Sequence, residues 1–247
     1  MSALSALSAV AASLRHRYGT YGEGHVMRGV GGLRIAAWLV GPLGLLVAVG
    51  CFWAARAGYQ ATTVGGDSMA PTYAAGDMVV FAQGGGEEAG RGDVVLFTAP
   101  DRYGPGVLVM HRVIGVGGDH VVCCTGEGAD ARITVNGRPL DEPYVADGVA
   151  DGVRPYDVTV EQGRLFLLGD HRTNSRDSRF FTEDHGGTVP LSAVRGRVTD
   201  DWSVPVALVV AALCGVVAAL TGLGLGIAAA VLRRRRSAPV PPWPARV

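Results

Sequence analysis

The chain has 247 residues, of which 48% are apolar and 18% charged, a composition typical of a folded rather than a disordered protein. Its 22 basic and 22 acidic residues balance, which argues against a protein that binds nucleic acid through a broad basic surface. All the basic residues are arginine, so every mechanism that needs a lysine amine is excluded, including Schiff-base chemistry, the P-loop and the Ser-Lys dyad.

The first 34 residues form a weakly apolar segment that carries four arginines and one glutamate. We expect a cytoplasmic N-terminal extension over residues 1–34. Met27, followed by Arg28 and Arg34, would make an equally good translation start, so the sequence leaves the translation of residues 1–26 open.

Two long segments contain no charged residue, residues 35–55 and residues 204–232. A membrane-spanning helix needs about 20 such residues. A buried core helix rarely stays free of polar positions for that length, so both segments are predicted to be transmembrane helices. The first is too long for a cleavable secretory signal, and the second span anchors the far end of the chain.

The charges predict how these spans are oriented. Residues 1–34 carry a net charge of +3, residues 59–201 a net charge of −9, and residues 233–247 a net charge of +5. Positive segments stay on the cytoplasmic side. Both termini are therefore expected in the cytoplasm, including a basic, Pro-rich tail over residues 233–247, and residues 59–201 outside, in a protein of the cell membrane.

The segment over residues 59–201 has the pattern of a β domain. Short β-branched runs recur, separated by Gly-rich breaks, and Asn136-Gly137 is a strong hairpin signal. The predicted strands are residues 77–82, 93–99, 107–116, 120–124, 132–135, 157–160, 164–168 and 193–198. The sequence therefore predicts a mainly β fold, an antiparallel barrel or folded sheet flanked by two transmembrane helices.

Three segments of this domain carry chemically active side chains: residues 65–72 (GGDSMAPT), 109–114 (VMHRVI) and 167–179 (LLGDHRTNSRDSR). Taken singly, each fits an ordinary role. The first suits a turn, the second a strand with one structural histidine, and the third a salt-bridged surface loop.

Taken together, and in this order, the three segments resemble the type I signal peptidases, also called leader peptidases. The resemblance covers roughly residues 59–201, and includes GDVVLF at residues 92–97 and GGD after the histidine strand. It implies a signal-peptidase-like antiparallel β catalytic domain. It also implies a membrane-anchored serine endopeptidase that removes signal peptides from exported proteins.

By this resemblance Ser68 is the nucleophile and its backbone N–H stabilises the oxyanion. Gly66 stands where some relatives have a hydroxyl donor. Most bacterial members have lysine as the base, but this chain has His111, as some other members do. A histidine with a pKa near 6.5 accepts a serine proton well at neutral pH.

A histidine base usually needs a carboxylate to orient it, and Asp170 and Asp177 are the candidates. Asp177 is the favoured orienting group, with Asp170 as a structural acid of the loop. By resemblance Ser175 lies near the base and Arg179 pairs with an acid. His171 stands where the family usually has asparagine.

The resemblance implies specificity for small residues one and three positions before the cut. Met69 is predicted to line the shallow pockets that receive them. The expected partners are signal peptides, the lipid bilayer and the protein-export machinery, with no nucleic acid and no cofactor.

A zinc site from His111, His120, Cys123 and Cys124 has suitable ligand types, but its spacing fits no tetrahedral pattern. Four cysteines are too few for a disulfide framework, and a bridge between neighbouring cysteines is unfavourable. The self-cleaving regulators that resemble LexA are excluded because they need a lysine and have no membrane spans. The remaining alternative is an inactive membrane-anchored binding or assembly protein of the same fold. Such a protein would be expected to lack one of the three residue types Ser, His and Asp at the motif positions, whereas all three are present.

Overall fold

The computed structural model describes residue 32 and residues 35–126, 130–150 and 154–236. Most of the predicted N-terminal extension, the alternative start at Met27 and the Pro-rich end of the tail lie outside the described residues. In chain order the elements are α1 (Ile35–Gly58), β1 (Tyr59–Thr63), β2 (Met78–Gln83), β3 (Val94–Phe97), α2 (Pro100–Tyr103), β4 (Val109–Val116), β5 (His120–Thr125), β6 (Arg132–Val135), β7 (Arg138–Pro139), β8 (Tyr156–Thr159), β9 (Arg164–Leu168), β10 (Val189–Pro190), β11 (Val194–Val198) and α3 (Ser203–Arg236). The chain divides into a helical unit and a β unit. The boundaries along the chain fall between residues 54 and 55 and between residues 204 and 205.

Both long helices of the helical unit have the length and composition to cross a membrane. The most apolar 18-residue window of α1 has a mean hydropathy of 2.2 and that of α3 a mean hydropathy of 2.6. Only 6% and 11% of these windows are buried, whereas the core helix of a soluble protein would be mostly buried. Both helices extend a few residues beyond the predicted spans.

Glycines let α1 and α3 approach each other closely. A Cβ added at Gly44 would lie 2.6 Å from the carbonyl oxygen of Gly215, and a Cβ added at Gly215 would lie 2.6 Å from the backbone nitrogen of Ala48. Further along the same two helices, Gly222 lies against the backbone of Gly41. This is the small-residue packing by which helices associate in an apolar environment, where hydrophobic burial gives little driving force.

The β unit contains two antiparallel sheets. The larger has seven strands in the order β1-β2-β11-β3-β4-β9-β10, and the smaller has the order β7-β6-β5-β8. The predicted antiparallel β fold is confirmed. Since β1 and β10 are not paired with each other in the described chain, the larger sheet is open and folded rather than closed into a barrel.

Every predicted strand is present, with ends that differ by two residues at most. The sequence did not predict β1, whose residues are largely exposed and show no clear apolar alternation, nor the two-residue strands β7 and β10. The hairpin at Asn136-Gly137 is confirmed. Both residues have positive φ, 55° and 75°, and Val135 pairs with Arg138 across the turn.

Strands β4 and β9 lie at the centre of the fold and are buried on both faces. In β9, Leu165 and Leu167 join one apolar cluster, while Phe166 and Leu168 join another that includes residues of the smaller sheet. Successive strand residues point to opposite faces, so these two strands form the layer between the clusters. β4 carries the second polar segment of the sequence, and the third begins at the end of β9, so both segments start from the buried centre of the domain.

A disulfide joins Cys123 and Cys124 in β5, contrary to the expectation from their adjacency. Cys123 is buried in the apolar cluster between the sheets. His120 pairs instead with Asp157, at 2.5 Å. Within the described residues, no group of three or more potential metal ligands comes together.

Candidate active site

Ser68 lies in a tight turn between β1 and β2. The backbone N–H of Ala70 donates to the carbonyl of Asp67 at 3.1 Å, and the N–H of Ala75 donates to the Asp67 carboxylate at 3.2 Å. These bonds close the turn locally, as expected for a segment rich in Gly, Asp, Ser and Pro. The side chain of Ser68 is half-buried at the edge of a groove.

The groove has a volume of about 290 Å³ and runs between two chain segments. Residues 62–66 and Ser68 line one side, residues 107–110 line the other, and Val79 and Leu96 also contribute. The two segments have unpaired edges in the described chain: β1 pairs only with β2, and β9 pairs with β4 only from Arg112 onwards. The groove is therefore bordered by backbone groups that can pair with an extended peptide.

Met69 does not line this groove. Its side chain is fully buried, so the structure corrects the prediction that it lines a pocket at the surface. A methionine beside a serine in a turn gives no sequence signal that distinguishes an inward from an outward side chain.

His111 is buried in β4, 2% exposed, with its Nε2 atom 3.3 Å from the hydroxyl of Ser175. The pKa of His111 is lowered to about 4, chiefly because burial disfavours the imidazolium. The charge of Asp177 opposes this shift and that of Arg179 adds to it. The lowered pKa favours the neutral imidazole at pH 7, which is the form that can accept a proton.

Asp177 does not hydrogen-bond His111. Its carboxylate accepts bonds from the Arg179 guanidinium at 2.7 and 2.8 Å and from the Gly169 N–H at 3.1 Å. Burial raises the pKa of Asp177, but the bond and charge of Arg179 outweigh this effect and the pKa is lowered. Arg179 pairs with Asp177, while the expected orientation of His111 by Asp177 is not made through a hydrogen bond. Nδ1 of His111 has no hydrogen-bond partner among the described residues.

Asp170 is held by the strand residue next to His111. Arg112 donates two bonds to its carboxylate, at 2.8 and 2.6 Å, and the hydroxyl of Thr72 donates a third at 2.5 Å. The Arg112 guanidinium also lies 3.9 Å from the ring centroid of Tyr144. Asp170 thus ties β4, the loop over residues 169–179 (the late loop) and the turn of Ser68 together, as a structural acid would. The sequence reasoning missed Thr72 and Tyr144, since an isolated hydroxyl carries no signal of a partner 98 residues away.

The late loop is held directly against the Ser68 turn. The backbone N–H of His171 donates to the carbonyl of Ser68 at 3.0 Å, and its Nδ1 lies 3.2 Å from the carbonyl of Asp67. A Cβ at Gly169 would overlap the Ser175 hydroxyl and lie 2.5 Å from the Ser68 carbonyl oxygen. The side chain of Ser175 and the backbone of Ser68 therefore both lie against Gly169, a position where only glycine fits. No hydrogen bond joins the Ser68 hydroxyl to His111 in the described chain; the hydroxyl that His111 contacts is that of Ser175.

Arg172 is a further buried residue of this loop that the sequence did not single out. It is 1% exposed and donates to the Glu142 carboxylate at 2.5 and 3.3 Å, to the Ala150 carbonyl at 2.8 Å and to the Gly169 carbonyl at 3.0 Å. These bonds fasten the start of the late loop to the chain that follows β7.

Comparison with known proteins agrees with the motif order. The family model described as "Signal peptidase, peptidase S26" matches residues 35–202. The chain is 42% identical to "Signal peptidase I" of Mycobacterium tuberculosis over 104 residues, 36% of this chain and 34% of that protein. It is 34% identical to "Signal peptidase I S" of Bacillus subtilis over 132 residues, 47% and 64% of the two chains. It is 32% identical to "Signal peptidase IB" of Staphylococcus aureus over 157 residues, 56% and 74% of the two chains. The chain thus spans about a third of the length of the mycobacterial relatives it matches.

Proposed function

Because this chain belongs to the signal peptidase family, peptidase S26, we propose that it is a membrane-bound serine endopeptidase that removes N-terminal signal peptides from exported preproteins. The observation that carries the proposal is the convergence of the three motif segments. His111 lies 3.3 Å from Ser175 of the late loop, and the same loop bonds the backbone of Ser68 through His171 at 3.0 Å.

In the proposed mechanism, Ser68 Oγ attacks the scissile carbonyl while Nε2 of His111 takes its proton. The Ser68 N–H donates to the oxyanion, and His111 returns the proton to the leaving amine. In the second half of the reaction Nε2 takes a proton from water as the water attacks the acyl-enzyme, and His111 returns that proton to Ser68 Oγ as the ester bond breaks and the new carboxyl terminus leaves. In the free protein Nε2 faces Ser175, so Ser68 Oγ completes its bond to His111 when substrate binds. Hydrogen bonds of this kind often tighten only in the substrate complex.

The substrate is proposed to bind as an extended strand in the groove. The unpaired edges of β1 and of residues 107–110 offer backbone donors and acceptors on both sides. Buried Val79 and Leu96 give the groove small apolar surfaces rather than a deep pocket. These surfaces support the proposal that this chain, as its family resemblance implies, prefers small residues one and three positions before the cut.

The principal test uses the full chain in detergent. The Ser68→Ala variant should lose cleavage of a preprotein by about 10⁴-fold or more, and a fluorophosphonate probe should label the unaltered chain but not this variant. Ser192→Ala is the matched control, because Ser192 is exposed and lies outside the groove; its labelling should be unchanged. Normal cleavage by Ser68→Ala would end the proposal, and an intact chain that neither cleaves nor reacts would favour an inactive binding protein of the same fold.

We also propose that both termini face the cytoplasm and that residues 59–201 face outward. The proposal rests on the charge pattern of +3, −9 and +5 along the chain. Alkaline phosphatase fused after Asp201 should be active in cells, and the same enzyme fused after Arg236 should be inactive. The reverse pattern would overturn this orientation.

A further inference from the structure

The imidazole of His111 is enclosed by aromatic rings rather than bound by a carboxylate. The ring centroid of Phe97 lies 5.7 Å from that of His111, and the centroid of Tyr103 lies 6.4 Å away with the two planes at 67°. Phe97 belongs to β3, next to β4 in the sheet, whereas Tyr103 comes from the short helix α2. Two separate elements therefore meet around one buried histidine.

Tyr103 is fixed from several sides. Its hydroxyl donates to the carbonyl of Arg176 in the late loop at 2.8 Å, and its ring makes edge contacts with Phe97 at 5.9 Å and Phe181 at 5.7 Å. The preceding residue, Arg102, donates to the carbonyl of Gly187 at 2.7 Å. The ring of Tyr103 therefore has little freedom, and Tyr103 joins α2 to the loop that carries Ser175.

A base in this position has two requirements. Its imidazole must present Nε2 to the hydroxyls, and the imidazolium that forms during the reaction must be tolerated. In a Ser-His-Asp triad a carboxylate bonded to Nδ1 meets both. Here Asp177 is bonded to Arg179 instead, and Nδ1 has no partner among the described residues. Aromatic rings can fix an imidazole by packing, and their electron-rich faces favour a nearby cation.

We propose that Tyr103 is the positioning residue of the base: its ring, packed against Phe97 and against the imidazole, keeps His111 in the orientation that faces Ser175. This inference rests on the proposed function for its catalytic part. The enclosure itself is a property of the structure and can be measured without activity.

The charged groups around His111 determine what should follow when the ring is removed. Asp177 and Asp170 raise the pKa of His111 and Arg179 lowers it, but burial is the largest influence. Arg102 and Arg176 lie near Tyr103. Removal of the ring admits water beside the imidazole, so the pKa should rise from about 4 towards the ordinary value near 6.5.

The test compares Tyr103→Leu with Tyr103→Phe in the full chain in detergent. The Phe variant keeps the ring and loses only the hydroxyl, and should retain kcat within about threefold. In the Leu variant kcat should fall on the order of tenfold to a hundredfold with KM little changed, because the base is misplaced while the groove is intact. Phe181→Leu is the matched control, since this ring contacts Tyr103 but has no ring contact with His111.

The second readout is the pKa of His111, measured by NMR titration of histidine-labelled protein. The resonance is assigned by its absence from a His111→Asn variant. A rise of about one pH unit or more in Tyr103→Leu, and none in Tyr103→Phe, is expected. If the Leu variant does not fold, Tyr103→Met fills most of the same volume and should show a smaller rise in the same direction.

Unchanged kcat and unchanged His111 pKa in folded Tyr103→Leu or Tyr103→Met would overturn the inference, as would equal damage from the Phe variant. If the unaltered chain cleaves nothing, the proposed function fails, but the titration still decides whether Tyr103 encloses His111. The two failures are therefore distinguishable.

Discussion

The buried position of His111 predicts an unusually low acid limit for activity. As the proposed base, His111 would work only when unprotonated, so kcat/KM should fall as the pH drops through the pKa of His111 in the free protein. An exposed histidine, with its ordinary pKa near 6.5, would place this midpoint near pH 6 to 6.5. Burial lowers the pKa to about 4, so cleavage at pH 5 should remain close to its value at pH 7.

The same shift makes the stability of the protein depend on pH. The folded-state pKa of His111, about 4, lies below its value in the unfolded chain, near 6.5. Between these two values the unfolded chain binds more protons, so the free energy of unfolding falls as the pH falls. A difference of roughly 2.5 pKa units corresponds to about 3 kcal/mol, which is lost between about pH 7 and pH 4.

Two measurements check this prediction. The first is the pH profile of kcat/KM for a signal-peptide substrate between pH 3.5 and 8. The second is pulse proteolysis in urea at pH 7 and pH 4.5, comparing the unaltered chain with His111→Leu, which has no group to titrate there. The lowered pKa of Asp177 removes stability only below its ordinary value near 3.8, outside this window. A midpoint of activity above pH 6, or the same loss of stability in both chains, would refute the reasoning.

Three further predictions concern single side chains. His111→Ala should lose cleavage as deeply as a chain without the nucleophile, whereas His171→Asn should stay within about threefold, because among the described residues the side chain of His171 contacts only the backbone carbonyl of Asp67; a dead His171→Asn and an active His111→Ala would reverse the assignment of the base. Gly66→Ser should raise kcat up to about tenfold by adding a hydroxyl donor near the oxyanion, since its Cβ meets no atom within 4 Å. Gly65→Ser, equally unobstructed, is its control and should have little effect, so equal gains in both would contradict the oxyanion explanation. Gly169→Ala should abolish cleavage and lower stability by about 1–3 kcal/mol, because its Cβ would overlap the Ser175 hydroxyl; thermal melting with a cleavage assay measures both, and normal activity would show that the backbone can yield there.

Much of the fold follows from local patterns in the sequence. The two uncharged segments predict the long helices because exposing so long a run of apolar residues to water is unfavourable in free energy. The strands over residues 132–135 and 164–168 have the predicted bounds, since β-branched runs between turn residues indicate strands. The strand β1 escaped prediction because its exposed residues carry no apolar alternation.

The family resemblance carried by the order of the polar segments indicated which residues to consider as the nucleophile and the base. It did not determine their partners. Asp177 was the natural candidate to orient His111, yet both of its oxygens are taken up by Arg179 and Gly169. Several donors could bind this carboxylate, and only the folded backbone decides which of them reach it.

The tertiary structure alone also decided the environment of His111. A histidine in an apolar strand could be half-exposed with an ordinary pKa, and nothing in residues 109–114 excludes this. The packing of Phe97 from β3 and Tyr103 from α2 buries it and lowers its pKa. Hydrophobic periodicity is a local property and can be read along the chain, but burial and charge pairing depend on residues that are distant in sequence and meet only when the sheets fold.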